Sequence, residues 1–275
     1  MDIGGQALIE GVMIRSKEKV AIAVRKKEKI KTVTHPTSKI SKKLAKIPLV
    51  RGIVVLIDSM VIGTKALIYS AKEQEEKEGE ITNTQIAITT TVSFILAIGL
   101  FIVLPLIISK LLTENRFLFN LIDGLLRIII FLGYLLIVSK SKEIQRIFQY
   151  HGAEHMSVHC FEHKEKLTVE NVKKYSTVHP RCGTSFLIIV LLLSILIFSV
   201  VWHEDFVIKI LQRIILVPVI AAISYEMLKF SAKHNNLFFI KALAYPGLLM
   251  QKITTKQPED AQIEVAIAAV KAATN

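Results

Sequence analysis

The segment Tyr150-His151-Gly152-Ala153-Glu154-His155 carries two imidazoles and a carboxyl group at a spacing that suits metal chemistry. If it is helical, His151 and His155 lie one turn apart on one face, where both can donate to a single cation. Glu154 then sits close enough to activate a water molecule. Zinc fits this donor set, as does another divalent transition metal. His159 and His163 continue the row at intervals of four, but most solvent-facing histidines bind nothing, so these two are not counted as ligands.

Further donors are spread along the chain. His179-Pro180-Arg181-Cys182 offers an imidazole and a thiolate three residues apart, just ahead of an apolar run. Glu226 lies near the end of another apolar run, where an unpaired carboxylate is costly, so cost alone makes it a candidate ligand. The competing reading is that Tyr225 and Glu226 mark a water boundary. The expected shell is therefore His151 and His155 as metal ligands, completed by His179, Cys182 or Glu226, with Glu154 as the catalytic general base.

The elements that must position these groups follow from composition. Hydrophobic residues make up 52% of the 275, yet the net charge is +12, so apolar and basic residues must be segregated. Mean hydropathy is +0.48, high for a soluble domain. Residues 86–112, 117–138, 186–202 and 206–228 are apolar runs of the roughly 17–25 residues that cross a bilayer as a helix. The fold class expected is mainly α: a polytopic helical membrane protein of about four transmembrane helices, with cytoplasmic helices and a small N-terminal β-hairpin region.

Charge sets the orientation. Sixteen of the 35 lysines and arginines precede Ile86, eight fall in residues 139–185 and six follow Leu228, whereas the short connections 113–116 and 203–205 hold only Arg116. The positive-inside rule then puts both termini and the long middle loop in the cytoplasm of a cell (plasma) membrane protein. The basic excess needs no nucleic acid as partner; anionic lipid headgroups suffice. No cleavable signal pattern opens the chain. Cys160 and Cys182 fall in the loop assigned to a reducing compartment, which favours free thiols or metal ligands over a disulfide.

Residues 48–71 are apolar enough to pass for a fifth span, but Arg51, Asp58 and Lys65 recur every seven residues, and Lys42, Lys43, Lys46, Lys72 and Lys77 flank the run. An amphipathic helix at the cytoplasmic interface fits better. Upstream, residues 20–24 and 30–34 read as a hairpin ended by Pro36, after a turn-rich start at residues 4–11. Residues 72–79 read as a solvated helix end. Pro258-Glu259-Asp260 opens a last helix whose apolar face holds Ile263, Ile267 and Val270. Asp123 and Arg127, one turn apart, read as an internal ion pair, Lys209 and Arg213 as residues that snorkel to outer headgroups, and Pro105 and Pro218 as bends. The segments are then 1–47 (β-rich), 48–85 (interfacial helix and linker), 86–138 (first two spans), 139–184 (loop with both motifs), 185–228 (last two spans) and 229–275 (C-terminal region).

The stretches Gly4-Gly5-Gln6-Ala7-Leu8-Ile9-Glu10-Gly11-Val12-Met13, His151-Gly152-Ala153-Glu154-His155, His179-Pro180-Arg181-Cys182-Gly183-Thr184-Ser185-Phe186, Ser224-Tyr225-Glu226, Pro246-Gly247-Leu248 and Gln251-Lys252-Ile253-Thr254-Thr255 together resemble the YqhQ family of prokaryotic multi-pass membrane proteins, nearly from end to end. That resemblance implies a metal-dependent enzyme with metal at His151, Glu154 and His155, and carries no substrate. Three function classes are compatible with these features. The first is a metalloprotease-like zinc hydrolase acting on a peptide, membrane protein or lipid-linked substrate. The second is a non-catalytic scaffold or biogenesis factor with a structural metal. The third, an ion or metal transporter, is disfavoured because no polar path crosses the spans. Oligomeric state is not readable.

Overall fold

The computed structural model describes residues 3–37, 47–74, 82–180, 182–233 and 238–274. Lys42, Lys43, Lys46, Lys77 and Arg181, together with the last part of the charged run at 72–79, lie outside them.

The chain opens on a four-stranded antiparallel meander: β1 (Gly4–Leu8), β2 (Gly11–Arg15), β3 (Lys19–Lys26) and β4 (Lys29–Pro36), paired in that order. The expected hairpin is its second half. The first half, read as turns because glycine favours turns, pairs as strands, with Gly5 opposite Ile14 and Leu8 opposite Gly11. The sheet is covered on both faces. Leu8, Met13, Val20, Ile22 and Val24 pack on helix α1 (Val50–Gln74) at Ala66, while Val12, Ile14, Ala21 and Ala23 face helices α5 (Lys142–Glu162) and α10 (Asp260–Thr274). Burial on both sides explains why residues 20–24 read as an unbroken apolar run. The alanines of β3 meet Ala266 and Ala269 of α10 in one core, where small side chains permit close approach.

Helices α2 (Asn83–Ile98), a π-helical turn (Gly99–Val103) and α3 (Leu104–Leu112) form one continuous rod, followed by α4 (Arg116–Val138). After α5 come the single turn α6 (Val169–Val172), α7 (Gly183–Val200), α8 (Phe206–Lys233) and α9 (Phe238–Thr254). Among the described residues, five helices are long and apolar enough to cross a membrane: α1, the α2–α3 rod, α4, α7 and α8. Topology bears on α1. The sheet precedes all five and α10 follows them, yet the two pack together, with Arg25 Nη2 donating to Glu264 Oε2 at 2.6 Å. An odd number of crossings would put them on opposite faces of a bilayer. Four crossings with α1 laid against the sheet satisfy this packing, and α1 is tied there by Arg15–Asp58 (2.5 Å), Lys31–Glu73 (2.6 Å) and Gln74 Nε2 donating to Arg25 O (2.9 Å).

Inside the bundle, Arg127 Nε pairs with Asp123 Oδ2 at 3.1 Å, as the spacing predicts. Arg213 does not snorkel. It is buried, and its Nη1 donates to the same Asp123 oxygen at 2.6 Å, because a carboxylate with spare lone pairs is a stronger partner in an apolar interior than distant water. Lys209 caps the cluster with Nζ 3.7 Å from the Trp202 ring centre. Pro105 acts through the hydrogen bond it cannot make. Proline has no N–H for the carbonyl four residues back, and that carbonyl, Phe101 O in the π turn, accepts instead from Arg127 Nη1 at 3.1 Å.

Candidate metal centre

Helix α5 carries His151, His155 and His159 on one stripe, and the irregular segment 173–180 returns alongside it ahead of Cys182, which caps α7. His151 Nδ1 lies 2.8 Å from Thr254 O, and His155 Nδ1 lies 2.6 Å from Thr177 O. A backbone carbonyl only accepts, so in both rings Nδ1 carries the hydrogen. In the neutral imidazole Nε2 then keeps the lone pair, the arrangement typical of metal-ligating histidine. His151 Nε2 is 3.3 Å from Cys182 Sγ, and donor atoms of His151, His155 and Cys182 all lie within 4.8 Å of one another.

Cys182 reaches this point because it is the N-cap of α7. Its sulfur accepts from Thr184 N at 3.5 Å and from Thr184 Oγ1 at 3.3 Å. These two donors and the helix N-terminus favour a thiolate, whereas burial pushes the thiol pKa up. Burial also depresses His155, to about 2, which keeps its ring neutral and able to ligate.

Glu154 is 5% exposed, and burial raises its pKa to about 8. Its Oε2 is buried without a hydrogen-bond partner among the described residues, an uncompensated cost unless something else engages it. Gly5 makes room for this carboxyl: a Cβ there would lie 2.7 Å from Glu154 Oε1 and 2.6 Å from Met13 O. Gly152 plays the same part on the opposite side, where any Cβ would run into Lys256 O. Glu10 in the β1–β2 turn anchors the helix by pairing with Arg146 and accepting from Tyr150 Oη at 3.0 Å.

Of the residues expected to meet, His151, His155 and Cys182 come together, with Glu154 beside them on α5. His179 is elsewhere: it groups with His159 and Glu162, its Nε2 3.3 Å from Glu162 Oε2. Glu226 belongs to none of the metal-ligating groups among the described residues. Its carboxylate forms a two-pronged pair with Arg51 and accepts from Leu49 N at 3.3 Å, because the end of α8 meets the start of α1 there. The Arg51 guanidinium, with no metal ion needed, offsets its cost. His163 caps α5, donating from Nδ1 to His159 O at 2.8 Å.

Sequence reasoning assigned no role to Gln251, Thr254 or Thr177. Gln251 is fully buried and clamps the His179 backbone, accepting from its N–H at 2.8 Å and donating to its carbonyl at 2.9 Å. The unusual run Gln251-Lys252-Ile253-Thr254-Thr255 was the available signal, but nothing local in it points to a carbonyl supporting His151.

Residues 47–275 match the model of the family described as a protein of unknown function, DUF1385. The chain belongs to this family. It is also 35% identical over 288 aligned positions to the uncharacterized protein YqhQ of Bacillus subtilis (strain 168), covering 96% of this chain and 89% of that protein. No solved structure matches. In this DUF1385 chain four of the resemblance stretches contribute to the centre, with Gly5 under Glu154, the α5 histidines, Cys182 at the head of α7 and Thr254 at the end of α9, whereas Ser224-Tyr225-Glu226 meets the start of α1 through Arg51.

Proposed function

We propose that the chain is a zinc-dependent hydrolase set at the cytoplasmic face of a cell membrane, acting on a peptide or lipid-linked amide. Its ligands are His151, His155 and Cys182, and its general base is Glu154. The observation that supports this reading is the direction of the two imidazoles. Thr254 O and Thr177 O hold the Nδ1 hydrogens, which leaves the lone pair of each ring on Nε2, and His151 Nε2 lies 3.3 Å from the Cys182 sulfur. A shell of three protein donors is the number used by catalytic zinc, since it leaves a position open. Zinc held there would polarise a carbonyl and acidify a bound water. A dication held beside Glu154 would lower its raised pKa, and the ionised Oε2, buried and without a hydrogen-bond partner among the described residues, is then the atom suited to take a proton from the attacking water and return it to the leaving nitrogen. The basic middle loop and termini support the cytoplasmic side.

A second reading, a non-catalytic scaffold whose metal ties α5 to α7, is favoured by one observation: His155 is only 3% exposed. One experiment separates the two. Purified protein in detergent is assayed for zinc and for cleavage of peptide and lipid-linked amide pools. The hydrolase reading expects His155→Ala to lose about one zinc equivalent per chain, and Glu154→Gln to keep its zinc while turnover falls by at least about 100-fold. Full zinc in His155→Ala sinks both readings; unchanged turnover in Glu154→Gln sinks the hydrolase alone.

A further inference from the structure

The residues left over from this centre form a group of their own. His159, Glu162 and His179 place donor atoms within 4.8 Å of one another. Two come from the outer turns of α5 and the third from the same returning segment that supplies Cys182. The imidazole rings of His159 and His179 are 4.4 Å apart, centre to centre. His159 Nε2 lies 3.1 Å from Val178 O, so that nitrogen carries the hydrogen and, in the neutral ring, the other keeps the lone pair. This repeats the carbonyl support seen at His151 and His155, one residue further along the segment that supports His155.

The support extends to the third member. Gln251 fixes both backbone groups of His179, and burial depresses the His179 imidazole to about 4, which favours its neutral form. His159 also lies parallel to the Tyr175 ring at 6.1 Å, with 5° between planes, which holds its orientation. Rings held at their backbones, faces and nitrogens keep donor atoms convergent without a large ordering cost on binding.

We propose that His159, Glu162 and His179 form a second site for a divalent transition cation, separate from the one built on Cys182. Two imidazoles and a carboxylate are the donor set of several open zinc sites, and the set suits zinc, cobalt or nickel better than calcium or magnesium. His159 and Glu162 are only partly buried, whereas His155 is almost wholly so, and no thiolate is present. The second site therefore exchanges its ion faster and binds it more weakly than the first.

Cobalt distinguishes the two sites, because only the Cys182 site gives a sulfur-to-metal charge-transfer band. The full chain in detergent, stripped with chelator, is titrated with cobalt(II) alone and followed by absorbance and by metal content after desalting. Wild type is expected to take up about two ions per chain, the tighter with the charge-transfer band and the weaker without it. Glu162→Gln, or His159→Ala if that variant loses its fold by circular dichroism, is expected to lose the weaker ion and keep the band; Cys182→Ser, the reverse. The inference is overturned if wild type binds a single ion, or if the folded Glu162 or His159 variant still binds both. Loss of the band alone in wild type would sink the first site and leave this one standing.

Discussion

Glu154 and Gly5 show how far one residue can determine another's environment. The carboxyl is folded into an apolar core because β1 offers it a residue without a side chain, and at Gly5 a methyl group would meet both the Met13 carbonyl and Glu154 itself. Gly4, next to it, has nothing within 4 Å of the equivalent position. Gly5→Ala is therefore expected to lower stability by about 1–3 kcal/mol and to displace the Glu154 carboxyl, while Gly4→Ala is near neutral. Thermal unfolding of the two variants in the same detergent checks this; equal midpoints would show that β1 does not press on the site.

At the scale of elements, one junction holds the centre and another holds the bundle. The first is at the end of α9, where Gln251 clamps His179 on the returning segment and Thr254 supports His151 on α5. The other lies within the bundle, where Asp123 of α4 is shared between Arg127 and Arg213 of α8. Replacing Asp123 by asparagine leaves two buried guanidinium groups with no compensating charge, a change that costs about 3–5 kcal/mol when a buried pair is broken. The Asp123→Asn variant should therefore unfold well below the wild type, while the cobalt charge-transfer band of whatever protein stays folded is unchanged. Loss of the band in folded protein would show that the charged cluster in the bundle also sets the metal centre.

For the whole molecule, the decisive contact is that of the sheet with α10. Because they pack together, the first and last elements share one side of the membrane, which requires an even number of crossings, and the ties of α1 to the sheet single it out as the apolar helix that does not cross. Tags placed before β1 and after α10 should both resist protease in intact spheroplasts, whereas tags at 113–115 and 203–205 should be cleaved. Protection of one terminus with cleavage of the other would mean that α1 crosses, and would break the reading of the sheet as a cytoplasmic cap over the site.

The sequence alone determined whatever depends on local periodicity and solvent: the four long apolar helices, the helix bearing His151, Glu154 and His155, the Asp123–Arg127 pair and the amphipathic last helix. It also identified Cys182 as a donor by its chemistry. Only the tertiary structure decided which distant groups share a site. It gave Glu226 to Arg51 and His179 to Glu162, paired β1 with β2, and turned Thr254 and Thr177 into supports for the histidines. The reason is that a residue's type states what it can bind. Which of several chemically suitable partners it meets is fixed by the packing of elements far apart in the chain, and that packing leaves no local pattern to read.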